Sequence, residues 1–282
     1  MKHPAHSPLS NVHCFRRSVR KYHYAVPGAR TGEQLLRNTF TIFRGIGPGR
    51  ERSLWKSGMK SWPDLLADRR CSSSRKREVE MAEAAYHDAD VGFFVSRLPA
   101  SERWRLFYDF LHGAAFIDVE LDGWSRRSEP VLVGIFANGS FTPFVRGENM
   151  SADAILAKIG ASTMLISFNG ARHDMHYVNR IIPDISLRYP VVDLIAMARK
   201  AGLPGGLKSV ERQLNVRRNS MVELSASGRA VELWHLWRRK GSRGALNLLK
   251  MYNREDTCNL LPVSEAIRDM LYLRTTEGML DG

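Results

Sequence analysis

The chain has 282 residues, 44% of them hydrophobic, which is enough for a packed core and allows one large domain or two smaller ones. Its longest apolar run, about Val131 to Ala137, falls far short of the ~20 residues that cross a bilayer, so no membrane span is expected. Lys and Arg number 42 against 29 Asp and Glu, a net charge of +13, in a composition that is globular and not disordered.

The positive charge is unevenly placed. Residues 1–80 hold 17 Lys and Arg against 6 Asp and Glu, so nearly all of the excess lies at the front. A basic region beside a nearly neutral body suits a polyanion such as DNA, RNA or an anionic surface, held through phosphate contacts; a solvated, solubilising tail is the alternative. The opening MKHPAHSPLS has no apolar h-region, so a secretory signal is not expected. Arg16 to Lys21, within a stretch free of acids up to Glu33, has the composition of a transit peptide as well as of a solvated basic arm. Cys14, Cys71 and Cys258 show no CxxC pairing and cannot all be bridged, which fits a reducing cytoplasm and not a structural zinc site.

Residues 1–30 lack helical or strand periodicity and read as a flexible basic arm. In 31–70, Thr31 is a candidate cap for a helix through Leu35 and Leu36. Gly45 to Gly49, GIGPG, forces a tight turn, and Leu54, Trp55, Leu65 and Leu66 supply apolar anchors. This stretch resembles the helix-hairpin-helix modules that hold a nucleic-acid backbone. The resemblance makes Gly45 and Gly47 candidates for close backbone approach to a phosphate, with Arg44, Arg50, Arg52 and Lys56 crowding the same turn. A plain glycine-rich turn between helices is the bland reading.

Residues 71–111 read as a linker, CSSSRKRE, followed by helices over Val79–Tyr86 and Trp104–Leu111. Short strands are then expected at Ala114–Glu120, Pro130–Ala137 and Phe141–Val145, with Asp122-Gly123 and Asn138-Gly139 in the connections. A helix over Ala152–Ile159, a strand over Met164–Phe168, a helix after Asn169, a strand over Pro190–Asp193 and a helix from about Gly244 to Leu273 complete an α/β pattern. Three hairpin-linked strands followed by alternating helix and strand is the order of the ribonuclease H-like fold. The expected fold class is thus a mixed sheet with flanking helices over 112–275, preceded by a small helical region.

In FIDVELDG, Asp118 and Glu120 end an apolar run and, by the period of two along a strand, leave the same face. Two carboxylates so placed repel each other unless a cation neutralises them or one takes up a proton. In SFNGARHD an apolar strand runs into Asn169-Gly170 and then a helix bearing Asp174, which on its own is an ordinary first-turn acid. In YNRED, Tyr252 and Asp256 stand four apart on one helix face.

In this order the motifs FIDVELDG, FNGARHD and YNREDTCNL resemble the DEDD superfamily of 3′-to-5′ exonucleases, and most closely its YprB-type ribonuclease H-like domain. PVVDLIAMARK, LKSVERQLNV and the leucine-rich ALNLLKMYNREDT lie where that likeness places them, and the match covers about residues 112–270. It implies a two-metal nuclease with Mg2+ or Mn2+ held by Asp118, Glu120, Asp174 and Asp256, hard oxygen ligands that suit these ions. On the matching positions Asp118 bridges both ions and Asp256 holds the catalytic one. Tyr252 marks the tyrosine subclass and orients the attacking water without acting as a true base, since a free phenol has a pKa near ~10. Asn169 is a candidate contact to the terminal nucleotide, or simply a strand-end turn. The implied substrate is a single-stranded 3′ end of DNA or RNA. Leu121 and Asp122 depart from the commoner family text, which leaves contacts to the terminal sugar open.

His173-Asp174 also invites an HD-phosphohydrolase reading, with His112 and His176 as further ligands, but the strand and Asn-Gly turn before Asp174 suit the exonuclease better. Asp193 is expected to cap the following helix. Arg217-Arg218 and Arg238-Arg239-Lys240 are solvated faces or phosphate contacts, and Trp234 with Trp237 reads as core. The alternative function is a nucleic-acid-binding or scaffold module that keeps the fold but has lost turnover.

Overall fold

Alternating apolar side chains build a five-stranded sheet from β1 (Ala115–Leu121), β2 (Pro130–Ala137), β3 (Ser140–Val145), β4 (Leu165–Ser167) and β5 (Val191–Asp193), in the spatial order β3-β2-β1-β4-β5. The computed structural model describes residues 35–125, 127–170, 173–220, 222 and 229–280. The arm expected over 1–30 and the cap expected at Thr31 lie outside them. β1 to β3 form an antiparallel meander, whereas β4 runs parallel to β1 and β5 parallel to β4. Asn138 and Gly139 both take positive φ, 51° and 71°, the conformation a two-residue hairpin of the primed type needs.

Helices precede the sheet as α1 (Pro48–Lys56), α2 (Trp62–Ala67), α3 (Ser73–His87), α4 (Val91–Arg97) and α5 (Phe107–Phe110). Later in the chain come α6 (Ala152–Ile159), α7 (Asp174–Ile181), α8 (Ile185–Arg188), α9 (Leu194–Lys200), α10 (Leu207–Gln213), α11 (Ala230–Lys240) and α12 (Arg243–Leu280). This is the mixed sheet with flanking helices and a helical region in front that the sequence leads one to expect.

Three local expectations differ. The polar stretch read as a linker is largely the first turns of α3, which starts at Ser73 with the Ser72 hydroxyl accepting from the Arg75 amide. The helix read through Leu35 and Leu36 is, among the described residues, a single 3-10 turn, Leu35–Asn38. The helix read over Trp104–Leu111 divides into 3-10 turns on either side of α5, with Trp104, Phe107 and Phe110 buried and Tyr108 exposed.

The sheet is covered on both faces. Ala115, Ile117, Val133, Ile135 and Leu165 pack with Ile155 and Ile159 of α6 and Met175 and Val178 of α7. Phe116, Phe136, Ile166 and Val192 belong to the other core, with Leu260, Val263 and Ile267 of α12 and the apolar residues of α1 to α5. Along α12 the buried positions Leu246, Leu249, Asn253, Thr257, Leu260, Val263, Ile267 and Leu271 recur every three or four residues, a helical stripe that carries two polar residues in its middle.

A buried ionic chain joins the front helices to the rest. Glu51 of α1 is 1% exposed, accepts from the Phe40 and Thr41 amides, and pairs with Arg105 at 2.8 Å. Arg105 also holds Glu102 at 3.0 Å, and Glu102 in turn pairs with Lys200 of α9. The described residues accordingly fall in one compact unit.

Candidate metal centre

The pleat of β1 sends Asp118 and Glu120 to the same side as Phe116, the side covered by α12. Directly opposite Asp118 on β2 stands Gly134. A Cβ there would lie 2.0 Å from Asn253 Oδ1 and 2.6 Å from Thr257 Oγ1, so the bare backbone is what lets α12 reach the sheet. The approach brings Asp256 of α12 to the strand. One ligand atom each from Asp118, Glu120 and Asp256 lies within 4.8 Å of the others.

Asn253, fully buried, donates from Nδ2 to Asp118 Oδ2 at 2.8 Å and so fixes that carboxylate. Burial, then repulsion from Glu120, Asp256 and Asp174, raises the Asp118 carboxyl well above the ordinary range, while Arg218 works in the opposite direction. Burial also pushes the Glu120 carboxyl up to about 8, with Asp256 and Asp174 adding to the effect and Asn253 and Lys208 opposing it. Such a cluster favours a proton or a cation at neutral pH.

Asp174, the first residue of α7 and 8% exposed, stands outside the group of three but within electrostatic reach of Asp118 and Glu120. Burial raises its carboxyl, and His173, whose Nδ1 lies 3.5 Å from Asp174 Oδ1, lowers it. A Cβ on Gly170 would lie 2.3 Å from Asp174 Oδ2 and 2.7 Å from Ser167 Oγ, so the Asn-Gly turn is shaped to admit this carboxylate. The histidines of the HD reading join no metal-capable group among the described residues.

Tyr252, half-buried, hydrogen-bonds Asp256, and burial followed by the charges of Asp256, Glu120 and Asp118 holds its phenol well above its ordinary pKa. Lys208 of α10 places its ammonium 4.6 Å from the Tyr252 ring centroid. Asn169 is exposed, takes a φ of 60°, and donates its backbone N–H to Asp193 Oδ1 at 2.7 Å. Asp193 also accepts from the Ile195 amide at 3.0 Å and so caps α9, as expected. Asp122 holds the β1–β2 connection: Oδ1 accepts from the Glu129 amide and Oδ2 pairs with Arg146, each at 2.8 Å.

Gly45, Gly47, Arg50 and Lys56 are all exposed, the first three around the start of α1 and Lys56 at its far end, so Lys56 does not crowd the glycine turn as expected. Gly45 takes a φ of 78°, and both glycines border an open groove of about 830 Å³ that Arg44 and Arg97 also line.

Sequence reasoning missed Asn253, Gly134 and Glu211, and it read Arg218 as a solvated face or a phosphate contact, whereas that side chain is 7% exposed and pairs with Glu211 and Asp256. The first two left signals: a glycine inside the apolar strand VLVGIFA, and polar residues on the buried stripe of α12. Glu211 and the inward turn of Arg218 left none, because the bridge between them ends on Asp256, far away in the chain.

No curated protein and no solved structure gives a match. A family model described as the RNase_H superfamily matches residues 115–268, more than half of the chain. The match runs from the first residue of β1 past Asp256 and contains every acid of the cluster, so the chain belongs to the RNase_H superfamily.

Proposed function

We propose that the protein is a metal-dependent 3′-to-5′ exonuclease of the DEDD kind, in the tyrosine subclass and closest to the YprB type, acting on a single-stranded end of DNA or RNA. The observation that carries this reading is the convergence of Asp118, Glu120 and Asp256 within 4.8 Å on a superfamily sheet, with Tyr252 one helical turn before Asp256.

Divalent cations suit the donor set. All three groups are hard carboxylate oxygens, and burial together with mutual repulsion makes their charge costly without a counter-charge. Asp118, Glu120 and Asp256 would hold Mg2+ or Mn2+, two ions in all, with Asp174 completing the set from the start of α7. Such ions supply Lewis-acid charge to the attacking water and the departing oxygen of a phosphodiester.

The chain's own residues do the positioning. Asn253 keeps Asp118 in one orientation through its 2.8 Å bond. Tyr252 stays protonated at neutral pH, so it donates to Asp256 and can orient a water through its oxygen without taking a proton from it. Asn169, exposed at the turn between β4 and α7, would meet a terminal nucleotide. The front of the molecule would grip the strand in the manner of a helix-hairpin-helix, through the backbone at Gly45 and Gly47 and the exposed cations Arg50 and Lys56.

Single strands labelled at the 5′ end, with free or chemically blocked 3′ termini, test the polarity in Mn2+. Stepwise shortening of the free-ended strand alone is expected; equal internal cutting of both would replace the reading with an endonuclease. Arg50→Glu with Lys56→Glu tests the grip. These surface changes are expected to weaken binding and reduce the slope of log K against log salt, and an unchanged slope would return the region to a solubilising role.

A further inference from the structure

Arg218, in the segment after α10, turns inward and not to solvent. Its side chain is 7% exposed, its Nη2 pairs with Asp256 Oδ1, and its Nε and Nη2 hold both oxygens of Glu211. Glu211, on α10 and 1% exposed, also accepts from Asn259 Nδ2 at 2.8 Å. Asn259 lies three residues beyond Asp256 on α12, so one helix carries both the acid that the guanidinium reaches and the amide that holds its other partner, Glu211. Two buried carboxylates thus divide one guanidinium between them, and one of the two belongs to the acid cluster. The neighbouring Arg217 is exposed, and Lys208 is directed at the Tyr252 ring.

A buried cation next to a group of acids cancels part of the field that would draw in a metal ion. We propose that Arg218 is the internal counter-ion of the acid cluster: it holds Asp256 in the absence of metal and competes with a divalent cation for that carboxylate. Metal loading is then an exchange, in which Glu211 retains the guanidinium as Asp256 turns to the ion. This inference rests on the metal-dependent reading above. Its consequence has a definite sign at each end of the bridge. Removing the Arg218 charge leaves the acids less compensated, so a divalent ion binds more tightly. Neutralising Glu211 removes a negative charge and also frees the guanidinium for Asp256, so the ion binds more weakly.

The test uses the full chain and Mn2+ alone, with free Mn2+ followed by electron paramagnetic resonance and folding checked by circular dichroism. Arg218→Gln is expected to lower the Mn2+ dissociation constant on the order of tenfold. Glu211→Gln is expected to raise it. A purely structural bridge would weaken binding in both variants, so opposite shifts are the signature of the counter-ion. A folded Arg218→Gln that binds Mn2+ no better than the wild type would overturn the proposal. Should that variant fail to fold, unchanged or tighter binding by Glu211→Gln overturns it instead. A wild-type protein that takes up no Mn2+ defeats the metal-dependent reading itself, and the counter-ion with it, an outcome distinct from unaltered variants of a metal-binding protein.

Discussion

Asn253 Nδ2 donates to Asp118 Oδ2 at 2.8 Å, a bond between the middle of the long C-terminal helix and the first acid of the sheet. Hydrogen-bonded partners of metal-binding carboxylates set their orientation, and losing one costs about 10–100-fold in metal affinity or activity. Asn253→Ala is therefore expected to keep the fold and reduce metal-dependent cleavage by about that factor. Comparing kcat with the near-ultraviolet circular dichroism of the same sample checks this; an unchanged kcat contradicts the role given to Asn253.

Gly134 makes that bond possible. A methyl group there would be 2.0 Å from Asn253 Oδ1 and 2.9 Å from the Phe141 ring, with no room on the packed side of β2. Gly134→Ala is expected to force sheet and helix apart and to cost about 1–3 kcal/mol or more, as overpacked cores do. Urea denaturation reads the loss directly, and a variant as stable as the wild type would mean that the helix is free to yield.

The pH dependence of the metal-free protein follows from the acids. Burial pushes the Glu120 carboxyl up to about 8, and Asp118 and Asp174 move in the same direction. Between the unfolded value of about 4.3 and the folded one, the folded state holds more protons than the unfolded chain, so stability falls as pH rises through this window. One such group contributes a slope of up to about 1.4 kcal/mol per pH unit. The Tm measured in chelator is expected to fall from pH 5 to 8, less steeply in Glu120→Gln, and to recover on adding Mn2+. A Tm that climbs over the same range would show that the acids are better compensated than their surroundings indicate.

Glu51 and Arg105, both 1% exposed and 2.8 Å apart, make the front helices part of the same core. Glu51→Ala leaves Arg105 buried with only Glu102 for charge compensation and the Phe40 and Thr41 amides without their acceptor. The expected loss is about 3–5 kcal/mol, measured as a shift in the urea midpoint. A loss below about 1 kcal/mol would place the pair among weak surface bridges.

How much of this was readable in advance depended on the range of the interactions. The three-strand meander announced itself through apolar alternation and the Asn138-Gly139 turn. Strand and helix periods put Asp118 with Glu120, and Tyr252 with Asp256, on shared faces, but it was the resemblance of FIDVELDG and YNREDTCNL to nuclease motifs that singled out Asp118, Glu120 and Asp256 as one set. The capping role of Asp193 was equally local, since a side chain that accepts an amide two residues ahead needs no tertiary partner. What escaped was set at a distance. Arg218 beside Asp256 depends on how α10 and α12 pack, and the charged run from Cys71 to Glu78 read as a linker because the partners that fix α3 lie elsewhere in the chain. Asp122 was legible as part of the connection after β1, but its bonds to Glu129 and Arg146, which hold that connection in place, were not.

The central claim is that the carboxylate cluster is the metal centre of a nuclease. Its most direct test incubates end-labelled DNA and RNA single strands with Mn2+ and compares the wild type with Asp118→Ala, both confirmed as folded. The wild type is expected to shorten the strands stepwise and the variant to leave them intact; identical product ladders from the two proteins would contradict the assignment.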